Sequence, residues 1–174
     1  QFWDTYLEQF KWRPHWAYAF YGLQWDDRTF KPNQDFKPTG SCERAFSAWE
    51  IKDNLMLDLT KMCEKLNIAF DTSLSNNISY LFYYNQPCYR VPTVNATGCT
   101  SEANMRGVFG YAYDLQTIDK VIVNNATTYT DWFVRCDALR EIRFEGTIAK
   151  GGMNLQWSTK LSRESIEDII NHLS

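Results

Sequence analysis

Motifs that would organise side chains for acid–base chemistry are sparse in this 174-residue sequence. The two histidines, His15 and His172, are not part of any motif that indicates a catalytic triad. The adjacent carboxylates Asp26 and Asp27 could serve a glycosidase only if they faced a sugar from opposite sides, which neighbours in a turn seldom do. A calcium loop would need further oxygen ligands at alternating positions. We therefore interpret the pair as turn-capping residues, and we predict that the protein is not an enzyme.

Five cysteines form the second group of reactive side chains: Cys42, Cys63, Cys88, Cys99 and Cys136. Their number is odd, no two of them have C-x-x-C spacing, and only two histidines are available to complete a metal site. We interpret them as buried or incidental thiols, and a Cys88–Cys99 disulfide remains an alternative. No Gly-rich phosphate loop, H-E-x-x-H or G-x-S-x-G motif occurs. The sequence therefore predicts neither a metal site nor a cofactor.

Candidate binding residues come from a recurrence along the chain. Polar side chains follow three apolar anchors, Cys88, Leu115 and Leu139, at equal offsets. If these segments lie side by side as strands, the side chains form rows on the outer face of a sheet, where they suit hydrogen bonding to a glycan or a protein. A solvated face without a ligand is the alternative. The predicted binding residues are Tyr89, Arg90, Gln116, Thr117, Asp119, Arg140, Glu141 and Arg143.

The same recurrence predicts the elements that position these residues. A phenylalanine is followed six residues later by an apolar anchor and three residues further on by a β-former, in the sets Phe82-Cys88-Val91, Phe109-Leu115-Ile118 and Phe133-Leu139-Ile142. The units are spaced 27 and 24 residues apart, within the range of leucine-rich repeats. We predict strands over about 89–94, 116–123 and 140–144, with short helices near 77–84, 102–109 and 129–135. The expected fold class is α/β, a short leucine-rich repeat solenoid.

Two longer helices are predicted to flank this array. Over residues 53–66, apolar side chains recur on one helical face at Leu55, Leu59, Met62 and Leu66. Near the C-terminus Ser162 is a good N-cap. The apolar stripe that follows it is predicted to cover the last unit and consists of Ile166, Ile169, Ile170 and Leu173.

Residues 1–50 differ from the rest because they hold five of the seven tryptophans and show little periodicity. We predict an irregular, aromatic-rich N-terminal cap there, with short helices near 2–10 and 15–21 and a turn at 25–32. Residues 51–174 would form the repeat array with its C-terminal helix, and the two parts would make one compact domain.

Composition restricts the class of partner. The formal net charge of −3 argues against a nucleic-acid-binding surface, which normally needs a basic face. No apolar run is long enough to predict insertion into a membrane. An aromatic content of 16% indicates either a heavily packed core or surfaces made for association, since Tyr and Trp combine apolar area with a polar group.

Four segments resemble one known family. They are Trp25-Asp26-Asp27-x-x-Phe30-Lys31-Pro32, Tyr80-Leu81-Phe82, Glu141-Ile142-Arg143-Phe144-Glu145-Gly146-x-Ile148, and Asn154-Leu155-Gln156-Trp157-Ser158 with Leu161-Ser162-x-Glu164-Ser165-Ile166. The chain is similar over nearly its whole length to the BspA-type leucine-rich repeat proteins among the structural or tail-associated proteins of phages and prophages. The last segment is the most specific. The resemblance implies a leucine-rich repeat solenoid, a virion or surface location and an interaction role, and it supplies no ligand residues.

These observations together lead us to expect a non-enzymatic phage structural protein, associated with the tail or the virion surface. Its partners would be other virion proteins or a host cell-surface protein or glycan, and many copies would bind together with useful avidity. A bacterial cell-surface or secreted leucine-rich repeat adhesin is the alternative. A carbohydrate-active tail enzyme is disfavoured because no convergent pair of acids is visible.

The recurrence makes one prediction about stability. We expect Phe109→Ala to lower the free energy of unfolding by roughly 3–5 kcal/mol, since a core phenylalanine is lost and a cavity is left behind. Thermal unfolding followed by circular dichroism measures this. An unchanged melting temperature would place Phe109 outside the core.

Overall fold

The computed structural model describes residues 16–22, 24–25, 32, 34–51, 54–124, 129–149 and 153–174. Within them the chain has an α/β fold built on a curled, parallel, half-barrel sheet. The helix predicted near 2–10 and most of the turn predicted at 25–32 lie outside the described residues. Residues 16–22 form turns instead of the helix predicted around 15–21.

The described strands are all parallel to their neighbours and belong to two sheets. A two-stranded sheet pairs β1 (Gln24–Trp25) with β2 (Glu50–Ile51). The main sheet contains β3 (Leu57–Asp58), β4 (Cys88–Val91), β5 (Val94–Asn95), β6 (Thr117–Val123) and β7 (Glu141–Gly146).

Strand β6 organises the main sheet. β4 and β5 pair with successive halves of β6, through Arg90 opposite Thr117 and Val94 opposite Val121. β7 pairs with both halves and therefore lies along the other edge of β6. Pro92 separates β4 from β5, since proline cannot donate a hydrogen bond to a neighbouring strand. The single strand predicted over 89–94 is thus divided in two, while those predicted at 116–123 and 140–144 agree with β6 and β7 to within about two residues.

The described residues contain two α-helices, α1 (Leu59–Leu66) and α2 (Arg163–Asn171), and a 3₁₀ helix at Glu102–Met105. α1 begins later than the predicted helix at 53–66 because Leu57 and Asp58 pair with β4. The Asp58 side chain then caps α1 by accepting a hydrogen bond from the Lys61 N–H at 2.8 Å. As a result Leu55, which was predicted on the buried face, is 40% exposed.

Helix α2 closes the free edge of β7. The backbone N–H groups of Ile142 and Phe144 donate to the Ser165 hydroxyl and the Asp168 carboxylate, at 3.0 and 2.7 Å. These bonds satisfy donors that an edge strand would otherwise expose. Ser162 is the N-cap, as predicted. The predicted apolar stripe covers β7 only in part, because Ile169 is buried while Ile166, Ile170 and Leu173 are exposed.

Turn segments between the strands lie side by side and are joined by backbone hydrogen bonds. The N–H groups of Phe46, Phe82 and Phe109 donate to the carbonyls of Leu81, Val108 and Trp132 in the next segment, at 2.9, 2.7 and 3.2 Å. This pairing stacks four buried rings: Phe46 on Phe82 at 5.3 Å, Phe82 on Phe109 at 5.9 Å and Phe109 on Phe133 at 5.8 Å between centroids. The stack runs through a core that extends from Trp16 to Ile169.

The predicted leucine-rich repeat solenoid is wrong, although the α/β class and the burial of the three phenylalanines agree with the sequence. A solenoid would repeat equivalent strand–helix units. In the curled sheet the strands instead range from 2 to 7 residues in length, and two strands, β4 and β5, both pair with β6. The short helices predicted at 77–84 and 129–135 are turns, and the one at 102–109 is reduced to the 3₁₀ helix. Left-handed backbone angles at Tyr80, Tyr84, Asp131 and Arg135 interrupt those segments, since a right-handed helix cannot contain them.

Neither described helix is long and apolar enough to cross a membrane.

Gly146 closes the sheet where β6 and β7 end. Its φ is +94°, and a Cβ there would lie 1.8 Å from the Val123 carbonyl oxygen. We expect Gly146→Ala to lower the free energy of unfolding by at least about 2 kcal/mol, because strain and a backbone clash act together. Chemical denaturation measures the change.

Gly22 provides the matched control, since its φ is +69° but nothing lies within 4 Å of the added Cβ. Gly22→Ala should cost only about 1–2 kcal/mol from the backbone conformation. Equal costs at the two positions would contradict the close approach of β6 and β7.

Candidate ligand-binding groove

A cavity of about 520 Å³ lies between α1 and the junction of β4 with β5. Its hydrogen-bonding side chains are Asp35, Thr60, Glu64, Asn67, Thr93 and Asp119, and its remaining lining is Cys63, Ile68, Ala69, Phe70 and Pro92. We call it the α1 groove. It combines carboxylate, amide and hydroxyl groups with an apolar surface, which is the usual make-up of a small-molecule site.

Helix α1 supplies three of the polar groups from one face. Thr60, Glu64 and Asn67 are spaced i, i+4 and i+7, so they line up along the helix. Asn67 ends the helix with a left-handed conformation, φ 53° and ψ 47°. The next residue, Ile68, donates its N–H to the Cys63 carbonyl at 2.9 Å. This C-cap turns the chain back so that residues 68–70 form the apolar wall.

Asp119 joins the groove to the sheet. One of its oxygens is 2.7 Å from Arg90 Nε, and the other accepts a hydrogen bond from the Thr60 hydroxyl at 2.8 Å. The carboxylate raises the pKa of Arg90, chiefly through this hydrogen bond. Asp58 lies 3.8 Å from the same guanidinium. Both oxygens of Asp119 are therefore held, which fixes the position of α1 over β6.

Asp35 is held in a similar way at the other wall. Its oxygens accept from Lys37 Nζ and from the Ala69 N–H, each at 2.9 Å. Lys37 and then Ala69 lower the pKa of this carboxyl, because both donors favour its charged form. Glu64, the third carboxylate of the groove, makes no ion pair within the described residues. Its oxygens are available to a ligand.

The predicted binding residues occupy neighbouring positions on the sheet. Arg90, Thr117 and Glu141 lie opposite one another on β4, β6 and β7. Gln116 donates its N–H to the Tyr89 carbonyl at 2.8 Å, and Arg140 donates to the Gln116 carbonyl at 2.9 Å.

Only one of these residues lines the α1 groove. Asp119 does so, whereas Arg143 is 3.1 Å from the Ser165 hydroxyl beside α2. The role of the eight residues in binding stays a prediction.

Sequence reasoning missed Asp35, Glu64, Asn67 and Thr93. A signal existed for the α1 residues, because their spacing places them on one helical face. That signal is weak, since most surface helices have a polar face that contacts only water. Asp35 and Thr93 are distant in sequence from α1 and come to the groove only through the folding of the chain.

Burial makes the cysteines poor nucleophiles. All five thiols are free and buried, and the alternative Cys88–Cys99 disulfide is not formed. Burial raises the pKa of Cys63, which borders the groove, to about 11, so its thiol is protonated near neutral pH. No group of three or more His, Cys, Asp or Glu side chains in the described ranges could hold a metal ion.

No protein-family model, curated protein or solved structure matches the chain. The resemblance to the BspA-type leucine-rich repeat proteins of phages and prophages therefore stays a prediction.

The buried thiols make the stability of the protein sensitive to alkali. Burial raises the pKa values of Cys42 and Cys136 to about 12 and that of Cys99 to about 11, from 9.0. Below pH 9 both folded and unfolded thiols are protonated, and the stabilising difference is fully present. Between about pH 9 and 11 the unfolded chain loses these protons while the folded chain largely keeps them, so stability should fall as pH rises.

Melting temperatures from pH 8 to 11 measure this effect. Cys42→Ala should give a shallower decline than the unsubstituted chain, because it removes one of the titrating groups. Parallel profiles for the two proteins would contradict the assignment of the decline to buried thiols.

Proposed function

We propose that the protein is a non-enzymatic binding protein whose α1 groove takes a unit of a surface glycan. The observation that carries this proposal is the lining of the cavity. Carboxylate, amide and hydroxyl groups lie beside Phe70, Ile68 and Pro92, and a sugar likewise has hydroxyls around its edge and apolar C–H groups on its faces. The volume of about 520 Å³ falls within the roughly 300–1,000 Å³ of ligand pockets.

The state of the carboxylates supports binding over catalysis. Glycoside hydrolysis uses a pair of acids, one of which needs a raised pKa to protonate the leaving group. Asp35 has a lowered pKa, and Asp119 has both oxygens engaged by Arg90 and Thr60. Fixed carboxylates of this kind can accept hydrogen bonds from hydroxyls without transferring protons.

The proposed location is the surface of a phage particle, with a bacterial surface adhesin as the alternative. It rests on the resemblance of residues 154–166 and not on the groove. Either place would present many copies at once, so weak single sites would bind a repetitive host glycan with avidity. Mass spectrometry of purified virions tests the location: absence of the chain from the particles would exclude it.

Binding is tested with purified protein against an array of bacterial surface polysaccharides, followed by calorimetry on any glycan retained. Glu64→Ala and Asn67→Gly should each weaken binding roughly tenfold or more, because hydrogen bonds to the ligand are lost, those of Glu64 being charge-assisted. Glycine at position 67 keeps the left-handed C-cap while removing the amide. Unchanged melting temperatures would show that both variants are folded.

Gln116→Ala and Arg140→Ala are the matched controls, since both residues are exposed on the predicted rows but do not line the groove. We expect their affinity to be unchanged. Loss of binding in these controls alone would assign the ligand to the rows and contradict the groove. Release of new reducing ends from a bound polysaccharide would contradict the non-enzymatic assignment.

A further inference from the structure

The side chains that line the α1 groove offer many more hydrogen-bond acceptors than donors. Three of its polar lining groups are carboxylates, which only accept when they are ionised. Thr60 already donates its hydroxyl hydrogen to Asp119, so it adds no donor. Among the described lining residues, the side-chain donors left for a ligand are those of Asn67 and Thr93. The groove is therefore matched to a ligand that is rich in donors.

The carboxylates that hold the groove together keep part of their accepting capacity. A carboxylate has about four lone-pair sites. Asp35 and Asp119 each accept two hydrogen bonds from the protein, one at each oxygen, so roughly half of their sites remain. The Glu64 carboxylate accepts no hydrogen bond from the residues that the structure describes, and all of its sites face solvent or a ligand.

Negative charge exceeds positive charge around the groove. The pKa of Arg90 is raised chiefly by the hydrogen bond to Asp119, and the charges of Asp58 and Glu64 act in the same direction. One guanidinium thus faces three carboxylates. In the described part of the lining there is no lysine, arginine or histidine. A ligand that carries positive charge would restore the balance.

The position of the carboxylates indicates an extended ligand. Glu64 lies on α1, Asp119 on β6 and Asp35 at the opposite wall. A single Ca²⁺ would need several oxygen ligands within about 2.6 Å, and no group of three or more His, Cys, Asp or Glu side chains in the described ranges could hold a metal ion. The acceptors therefore suit donors that are distributed over an organic molecule.

An ammonium group fits this lining better than a hydroxyl or an acid does. It brings three donors, one positive charge and no acceptor. A hydroxyl brings one donor together with two lone pairs, which would face carboxylate oxygens. A carboxylate or a phosphate brings acceptors and negative charge, and it would be repelled. The apolar wall of Ile68, Phe70 and Pro92 is left for the C–H face of a sugar ring.

We propose that the α1 groove selects a glycan unit with a free amino group, whose ammonium lies against Glu64. This inference rests on the proposed function, since it specifies the sugar that the groove takes. Asp35 and Asp119 then accept hydrogen bonds from hydroxyls of the same unit. N-acetylation removes the charge, leaves one N–H donor and adds a carbonyl acceptor, so an acetylated unit fits the lining less well.

Calorimetry with three tetrasaccharides tests the selection, at a mildly acidic pH where the amino groups of the probe are protonated. The probes are β-1,4-linked glucosamine, its N-acetylated counterpart, and galacturonic acid as the acidic sugar. We expect the glucosamine tetramer to bind at least about tenfold more tightly than the N-acetylated one, because charge-assisted hydrogen bonds are the stronger ones. Added salt should weaken its binding, and the galacturonic acid tetramer should not bind.

Glu64→Gln tests the contact itself, because glutamine keeps the shape and one acceptor but removes the charge. Its affinity for the glucosamine tetramer should fall about tenfold, with little change for the N-acetylated tetramer. Glu164→Gln is the matched control, since it removes the same charge at an exposed position of α2 outside the groove. This control should bind as the unsubstituted chain does. Unchanged melting temperatures would show that both variants are folded.

The outcomes separate this inference from the proposed function. Equal or tighter binding of the N-acetylated or the acidic tetramer would overturn the inference and leave glycan binding in place. The same holds if the array retains only glycans without amino groups, or if Glu64→Gln and Glu164→Gln bind the glucosamine tetramer equally well. Failure of every glycan, on the array and in solution, would contradict the proposed function and the inference with it.

Discussion

The stack of Phe46, Phe82, Phe109 and Phe133 is the interaction on which the rest of the structure depends. Each ring is at most 2% exposed, and neighbouring centroids are 5.3 to 5.9 Å apart. That spacing slightly exceeds the roughly 4.8 Å between hydrogen-bonded chains, so the rings pack with an offset. The stack and the backbone hydrogen bonds between turn segments act together to hold those segments side by side, which brings β4, β6 and β7 next to one another.

Because the phenylalanines point inward, the other side of each turn is left for surface side chains. The backbone reverses direction through residues in the left-handed conformation, such as Tyr80 and Tyr84. These strained residues are on the outward side of the turns. The buried phenylalanines and the left-handed residues therefore lie on opposite sides of the same turns, with Tyr80 half-buried and Tyr84 exposed. The α1 groove arises differently, from the C-cap at Asn67 and from Pro92, both of which stop regular structure beside the sheet.

The error in the predicted architecture has a physical origin. Recurrence of Phe82, Phe109 and Phe133 correctly indicated three equivalent inward positions, but a similar spacing along the chain does not determine which structure forms between them. Strand length depends on single residues such as Pro92, which separates β4 from β5. Left-handed φ values prevent helix formation in the turns, and the pattern of apolar residues gives no indication of where such values occur. Phe46 belongs to the stack too, yet the recurrence missed it because Lys52 stands where an apolar anchor would follow.

Several features were determined by the sequence alone, and they are local ones. Pattern and capping chemistry located β6, β7 and the start of α2 at Ser162, and apolar periodicity identified Phe109 as core, because neighbouring residues set these preferences. Tertiary structure alone decided the curl of the sheet, the exposure of Ile166 and Ile170, and the meeting of Asp35, Glu64 and Asp119 in one groove. Those outcomes depend on contacts between residues far apart in the chain, and no local pattern encodes which distant partners will meet.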